Sequence, residues 1–294
     1  MRFVTYRKNG SSGLAMRCAS GLIDLEGLEL ARLLGAGEEG FRQAKSLSLG
    51  GAVLDETELV YLPPILAPPK IICVGLNYRD HINEAKRQHS QFPTFFGRFT
   101  RSLIAHRAPL VRPKVSEQFD YEGEIVVVIG KAGRHIAQAD ALRHIAGYSV
   151  FNDASVRDYQ RKGDQWTLGK NFDGTGAFGP EFVTVDELPE GARGLKLTTR
   201  LNGVTVQSAT VEDMIFDIPT LIAAVSEATT LEVGDLIVTG TPGGVGIARD
   251  PKLFMKHGDI CEVEVEGIGV LRNPVQDESA RNPIPTTQTS STLV

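Results

Sequence analysis

Cysteine is scarce in this sequence, and the placement of its three occurrences excludes two kinds of site. Cys18, Cys73 and Cys261 lie far apart, are odd in number and do not form the short spacings of zinc or dithiol motifs. This excludes a dense disulfide framework and a cysteine-based metal centre. We interpret the three thiols as reduced packing residues and expect a cytoplasmic protein.

Positive charge is also in deficit, because 31 Lys and Arg face 36 Asp and Glu, for a net charge of −5. That balance argues against nucleic acid or an anionic membrane as the main partner. No hydrophobic run reaches the length needed to cross a membrane, and the first residues lack the apolar core of a signal peptide. The sequence also has no P-loop, no Gly-x-Ser-x-Gly elbow and no His-Glu-x-x-His motif.

Glycine, by contrast, is abundant: 31 of 294 residues indicate many tight turns, as in a β-rich or mixed fold. A proline-rich connector at 62–69 separates a small accessory segment, 1–66, from the main part of the chain, 67–276. From 277 to 294 the sequence is rich in Ser, Thr, Pro, Gln and Asn, which predicts a disordered tail.

The most informative stretch runs from Asp120 to Gly130, where β-branched residues predict a buried strand. Side chains alternate along a strand, so Glu122 and Glu124 point to the same side. Two interpretations fit. The carboxylates share a hard divalent cation, which prefers oxygen ligands, or they are a solvated strand end that discourages aggregation.

A third carboxylate follows a second predicted strand, 147–153, which delivers Asp153 at its carboxyl end. Such a residue completes the oxygen donors that Mg²⁺ or Mn²⁺ requires, with water and substrate filling the remaining positions. It also fits the N-cap of the following helical turn.

A helix is predicted to begin after Asn77, with Asn77 as its N-cap and Asp80 completing a capping box. Within it, His81 and Glu84 lie three residues apart and share a face. A carboxylate beside an imidazole orients it and makes it a better proton acceptor. An exposed helix pair with no chemical role fits the same spacing.

Several further residues are weaker candidates. The segment with Arg157, Asp158 and Gln160 fits either an anion clamp or a solvated helix face. Lys170, between an apolar run and a glycine-rich loop, fits an enolate-stabilising cation or an ordinary surface lysine. The region 90–120 has no clear periodicity and is interpreted as a long substrate-facing loop or a partner surface, with Arg98 as an anion binder.

Local signals are clearer in the second half of the chain. Asn202-Gly203 predicts a type I′ hairpin, and Asp217 with Pro219 predicts the start of a helix. The glycine-rich loop 241–246 follows a strand and can present backbone N–H groups to an anion. Glu262, Glu264 and Glu266 alternate with apolar residues and are expected to face water.

Taken together, these segments resemble the fumarylacetoacetate hydrolase family over about 67–275. The matching residues are Val74-Gly-x-Asn77-Tyr-x-x-His81-x-x-Glu84, Tyr121-Glu122-x-Glu124, Asn152-Asp153-x-Ser-x-Arg157-Asp158-x-Gln160, Trp166-Thr-x-x-Lys170, Thr239-Gly-Thr241-Pro-x-Gly-Val-Gly246 and Gly258-Asp259 before Val263-Glu264-Val-Glu-Gly267-Ile-Gly269.

The resemblance implies an α+β, β-rich fold: a mixed β-sandwich roll with flanking helices and a small N-terminal α/β domain, usually in a homodimer. It implies that Glu122, Glu124 and Asp153 bind Mg²⁺ or Mn²⁺, with Ca²⁺ as a substitute in a crystal. It implies that His81 and Glu84 lie on a lid over the substrate. The candidate substrate-binding residues are Tyr78, Arg157, Gln160 and Thr241, together with Arg98 from the stretch 90–120. Arg98 departs from the family pattern, in which many relatives carry Lys.

The chemistry of these groups predicts a hydrolase that cleaves a carbon–carbon bond of a 2,4-dioxo acid, as in aromatic catabolism. The metal acts as an electron sink, His81 activates water, and Lys170 stabilises the pyruvate enolate. The same site fits decarboxylation or isomerisation of a 2-oxo diacid. A non-catalytic ligand-binding protein of the same fold is a third possibility.

Overall fold

The computed structural model describes residues 1–84 and 90–279 of the chain. The described strands are β1 Arg2–Lys8, β2 Ser11–Cys18, β3 Gly21–Asp24, β4 Val53–Leu54, β5 Val60–Tyr61, β6 Ile71–Gly75, β7 Thr94–Gly97, β8 Leu103–Ile104, β9 Leu110–Arg112, β10 Phe119–Asp120, β11 Gly123–Ile129, β12 Ile145–Asp153, β13 Ser155–Val156, β14 Gly176–Thr184, β15 Lys196–Leu201, β16 Val204–Thr210, β17 Leu236–Val238, β18 Ile260–Val265 and β19 Gly269–Asp277. The described α-helices are α1 Leu30–Gly35, α2 Glu38–Ser48, α3 Arg79–Glu84, α4 Arg157–Gln160, α5 Thr167–Lys170 and α6 Ile218–Ala228.

The largest sheet has twelve strands, ten of them in the order β4-β3-β2-β1-β14-β12-β11-β17-β6-β7. Strand β11 lies inside it, antiparallel to β12 on one side and to β17 on the other. Every residue of β11 is buried. Val126 and Val128 pack into one hydrophobic cluster, whereas Ile125, Val127 and Ile129 pack into another. The run of branched residues is therefore explained by burial on both faces of the strand.

A second sheet of five strands, in the order β16-β15-β18-β19-β9, packs against the first. Cys261, Val263 and Val265 of β18 belong to the same cluster as Ile125 and Val127 of β11, which places the core of the roll between the two sheets. The hairpin between β15 and β16 turns at Asn202 and Gly203, both with positive φ (53° and 79°), as a type I′ turn requires.

The N-terminal strands continue the large sheet, because β1 pairs antiparallel with β14. The carboxylate of Glu181 on β14 is buried and accepts a 2.5 Å hydrogen bond from Nε of Arg17 on β2. The division into domains at residue 66 stays a prediction. Strand β1 lies before that boundary and β14 after it, and the two are hydrogen-bonded neighbours in one sheet.

Helices α1 and α2 pack against the large sheet, because Leu33 and Ala44 share a buried hydrophobic cluster with Phe3 of β1 and Val126 of β11. Strands dominate the described chain, which confirms the α+β, β-rich class. Helix α6 begins as predicted: the Asp217 carboxylate accepts from the Thr220 N–H at 2.9 Å, and Pro219 lies in its first turn. Within the described residues, no helix is long and apolar enough to cross a membrane.

Two local predictions were wrong. The stretch 90–120 is not one irregular loop but contains β7, β8, β9 and β10, which are only two to four residues long and so leave no periodicity to detect. The Asn77 side chain does not cap α3. Its amide instead donates to the carbonyls of Phe216 and Thr239, at 3.0 and 2.8 Å, joining distant segments. The predicted tail begins at Asp277, the last residue of β19, and 280–294 lies outside the described residues.

Candidate active site

Three carboxylates meet where β11 begins and β12 ends. The strands are antiparallel, with Gly123 opposite Asn152, so Glu122 lies beside Asp153, and the Asp153 N–H donates to the Glu122 carbonyl at 2.8 Å. Glu124 is two residues further along β11, on the same side. One oxygen from each of the three side chains lies within 4.8 Å of the others, and all three residues are buried. The predicted cluster of acids is thus present in the fold.

Buried cations contact two of the three acids. The Lys170 ammonium binds Glu122 Oε2 and lies 2.6 Å from Asp153 Oδ2, and Arg157 lies 2.7 Å from Glu122 Oε1. Burial alone raises the pKa of Glu122, but the charges of Arg157 and Lys170 outweigh it and hold that pKa below the ordinary value. Burial lowers the pKa of Lys170, and Asp153 and Glu122 overcome it, so the ammonium stays charged.

Glu124 differs from its two neighbours, because no cationic side chain among the described residues contacts it. Its carboxylate accepts one hydrogen bond, from the Gly240 N–H at 2.5 Å. Burial, and then the charges of Asp153 and Glu122, raise its pKa well above the ordinary value. A buried carboxylate beside two others is stabilised by a cation. The all-oxygen donor set fits a hard divalent ion such as Mg²⁺ or Mn²⁺.

Two of the three acids, Glu122 and Glu124, line a cavity of about 340 Å³, whereas Asp153 lies behind its wall. The charged residues that line it are His81, Glu84, Glu122, Glu124, Arg157, Arg161 and Lys170, and Phe96, Trp166, Val245 and Ile247 are among its apolar wall. Phe96 and Trp166 meet edge to face, with their ring centroids 5.4 Å apart. The cavity can therefore hold a small polar molecule with an apolar surface on one side.

The predicted His–Glu pair forms on α3 and faces the same cavity. His81 Nδ1 lies 2.8 Å from Glu84 Oε1, and Glu84 Oε2 accepts from the Gly244 N–H, also at 2.8 Å. Glu84 therefore links the imidazole to the glycine-rich loop. With Nδ1 held by Glu84, Nε2 is the ring nitrogen that remains for proton transfer.

Arg157 is held by an acid that the sequence analysis missed. Asp120 is fully buried and accepts from Arg157 Nε at 2.8 Å, from the Gly246 N–H at 2.8 Å and from the Ile247 N–H at 2.9 Å. Gln160 Oε1 accepts from Arg157 NH1 at 3.0 Å. The Arg157 NH2 group is buried and has no hydrogen-bond partner within the described part of the chain. Asp120 precedes the family-like Tyr121-Glu122-x-Glu124, and that position was its only signal in the sequence.

Gln207 is a second residue that sequence reasoning missed. Its amide nitrogen donates to Thr241 Oγ1 at 2.8 Å, while Thr241 donates to the Gly123 carbonyl at 3.0 Å. Thr241 is thereby fixed in the cavity wall beside Glu124. Gln207 lies on the strand that follows the Asn202-Gly203 turn, where nothing in the sequence distinguishes it from an ordinary strand residue.

Two predicted substrate-binding residues lie away from the cavity wall. Tyr78 is 1% exposed and packs in the hydrophobic core, and its hydroxyl has no partner among the described residues. Arg98 is buried behind Asp153, whose carboxylate it binds together with the hydroxyls of Ser102 and Thr175. Their placement fits core packing for Tyr78 and support of an acidic residue for Arg98.

Comparison with known proteins agrees with this geometry. Residues 70–276 match the family model described as fumarylacetoacetate (FAA) hydrolase, C-terminal. The human mitochondrial oxaloacetate tautomerase FAHD2A is 43% identical over 225 residues, covering 76% of this chain and 71% of the relative. The corresponding Rattus norvegicus protein is 38% identical over 271 residues, covering 90% of this chain and 86% of that protein.

Solved structures give the same result. A fumarylacetoacetate hydrolase from Exiguobacterium antarcticum superposes with a TM-score of 0.84 at 33% identity, over 95% of this chain and 100% of that one. Maleylpyruvate hydrolase from Sphingobium sp. SYK-6, in complex with manganese and pyruvate, superposes with a TM-score of 0.80 at 26% identity and the same coverage. The chain belongs to the fumarylacetoacetate hydrolase family.

Proposed function

We propose that this protein is a metal-dependent tautomerase that interconverts the keto and enol forms of a small 2-oxo diacid, with oxaloacetate as the first substrate to test. The observation that carries the proposal is one cavity lined both by a proton-transfer pair, His81 and Glu84, and by a buried cluster of acids and cations. The oxaloacetate tautomerase relatives support the choice of substrate.

Glu122, Glu124 and Asp153 would hold the divalent ion, Mg²⁺ or Mn²⁺. When bound, that ion supplies Lewis acidity, which makes the hydrogens next to a 2-oxo group more acidic. His81 Nε2 takes a proton from that carbon or returns it, and Glu84 keeps the ring oriented. Lys170 provides positive charge close to the oxygen on which negative charge develops, and that oxygen takes up a proton from solvent as the enol forms and releases it in the reverse direction. The NH2 group of Arg157, which has no protein partner in the described chain, receives a substrate carboxylate.

A hydrolase that cleaves a 2,4-dioxo acid is the second candidate. Two observations favour it: the same His–Glu pair can take a proton from water, and the maleylpyruvate hydrolase structure superposes over 95% of this chain. The two reactions share an enolate-like charge beside Lys170 and differ in whether water attacks a distal carbonyl. Decarboxylation of the same diacid would differ again by releasing CO₂.

The test is the decay of the ultraviolet absorbance of enol-oxaloacetate, followed with enzyme and Mg²⁺, with Mg²⁺ alone and with enzyme plus EDTA. We expect the decay of the enol to be accelerated only when enzyme and metal are both present. The Lys170→Met variant should lose most of this acceleration. No acceleration over Mg²⁺ alone, together with metal-dependent release of pyruvate from an acylpyruvate, would instead establish the hydrolase. A coupled assay for CO₂ separates the decarboxylase from both.

We also propose that the protein is a homodimer, as the family resemblance implies. Size-exclusion chromatography with light-scattering detection should give a mass near twice the 31.8 kDa of one chain. A mass equal to one chain at micromolar concentration would refute this assignment.

A further inference from the structure

Arg161 is the exception among the charged residues that line the cavity. His81 and Glu84 bind each other, Glu122 binds Lys170 and Arg157, and Glu124 accepts from the Gly240 N–H. Arg157 and Lys170 also bind Asp120 and Asp153, respectively. Within the described ranges 1–84 and 90–279, only the Arg161 side chain among these cavity-lining groups has neither a hydrogen bond nor an ion pair.

The parts of the chain that the structure does not describe offer no acidic side chain to fill this role. Segment 85–89 reads Ala-Lys-Arg-Gln-His, and 280–294 contains no Asp or Glu. The nearest acids in sequence, Asp158 and Asp164, form no ion pair with Arg161, and Asp158 accepts instead from the Ser116 hydroxyl at 2.5 Å. The guanidinium is therefore available to an anion from outside the chain.

Position within the fold brings Arg161 close to the substrate-binding groups. It follows α4 directly, four residues after Arg157, so the two side chains project from the same side of the turn. Arg157 is 4% exposed and lies at the base of the cavity among the acids, whereas Arg161 is exposed at its rim. The cavity thus has two cationic groups for carboxylates at different depths.

We propose that Arg161 is a specificity-determining residue that binds the distal carboxylate of the substrate and so selects diacids over 2-oxo monoacids. The inference rests on the proposed function, because it takes the inner carboxylate and oxo group to lie near Arg157 and the acid cluster. A planar guanidinium binds a carboxylate through paired N–H donors, which suits this task. Because the rim is solvated, the expected contribution is modest, about tenfold in affinity.

The experiment compares the binding of L-malate and L-lactate, which share a 2-hydroxy acid group and differ by the distal carboxylate. Calorimetric titrations in Mg²⁺ give the ratio of the two dissociation constants. Arg161→Gln should reduce the preference for malate about tenfold, and Arg161→Lys should keep most of it. The matched control, Arg143→Gln, removes an exposed charge that does not line the cavity and should leave the ratio at the wild-type value.

The possible outcomes separate this inference from the proposed function. A malate preference that is absent in the wild-type protein, or equal in Arg161→Gln and Arg143→Gln, overturns the role of Arg161 whether or not oxaloacetate is turned over. A preference that depends on Arg161 in a protein that does not tautomerise oxaloacetate supports the diacid site and rejects the proposed reaction alone.

Discussion

Two strands of this protein carry the same alternation of glutamates in opposite surroundings. Glu122, directly before β11, and Glu124, its second residue, are buried beside Asp153. Glu262 and Glu264 on β18 are 24% and 38% exposed, and each pairs with a surface arginine: Arg272 Nε at 3.2 Å and Arg200 NH2 at 2.5 Å.

The difference lies in what the rest of the chain brings to each strand. At β11 the third acid arrives from β12 and the cations from helices α4 and α5, and Glu124 is left without a cationic partner in the described chain. At β18 each acid has its own neighbouring cation and access to water, so the charges cost little. The same local pattern therefore forms a buried acid cluster in one place and a solvated surface in the other.

The largest effect that should follow from this comparison is on turnover. Glu124→Gln removes the carboxylate that has no cationic partner and should abolish metal-dependent enol decay. Glu264→Gln makes the same chemical change on β18 and should leave the rate unchanged. Steady-state rates at saturating Mg²⁺ measure both, and a Glu124→Gln enzyme with wild-type activity would show that the two pairs of glutamates are equivalent after all.

A somewhat smaller effect on turnover is expected when the proton-transfer pair is changed, because His81 and Glu84 belong neither to the acid cluster at β11 nor to the glutamates of β18. His81→Gln should lower the turnover number about a hundredfold to a thousandfold, because general acid–base catalysis contributes on that scale. Manganese affinity should stay near the wild-type value, as measured by titration calorimetry. Loss of metal binding in this variant would mean that His81 belongs to the acid cluster rather than to proton transfer.

A substitution of Asp120 tests whether this acid contributes to substrate binding by holding Arg157 in place. Asp120→Asn keeps the shape but removes the charge that binds Arg157 Nε, and such supporting contacts are typically worth tenfold to a hundredfold. We expect the rise in KM for a carboxylate substrate to exceed the fall in the turnover number. Equal losses in both, with a lower melting temperature, would indicate a general structural role instead.

The smallest effect should be on stability at β18. Replacing Glu262 by Gln should change the free energy of unfolding by no more than about 0.5 kcal/mol, because exposed ion pairs contribute little. Urea unfolding of the variant and the wild-type protein side by side measures this. A loss of several kcal/mol would mean that the β18 acids are energetically as important as buried ones.

Much of the fold was predictable where local chemistry decides the structure. Asn202 and Gly203 have the positive φ values that a type I′ turn requires, and Asp217 caps α6 at a position marked by the following Pro219. The run of branched residues after Glu124 likewise predicts a buried strand, and in the structure the side chains of this strand fill the core on both of its faces.

The remaining features depend on contacts between residues distant in sequence. Asn77 looked like an N-cap, but its amide binds Phe216 and Thr239, more than 130 positions away. Asp120 accepts three long-range hydrogen bonds, from Arg157 and from the N–H groups of loop residues 246 and 247, and no local sequence pattern reveals them. Tyr78 matches a residue of the family motif, yet it packs in the hydrophobic core and does not line the cavity.

The central claim is that the three carboxylates of Glu122, Glu124 and Asp153 together hold one divalent ion. Calorimetric titration of Mn²⁺ into metal-free protein tests it most directly, with Glu124→Gln and Glu264→Gln as the paired variants. The account predicts one site per chain in the wild-type protein and in Glu264→Gln, and at least hundredfold weaker binding in Glu124→Gln. Equal manganese affinity in all three proteins would contradict it.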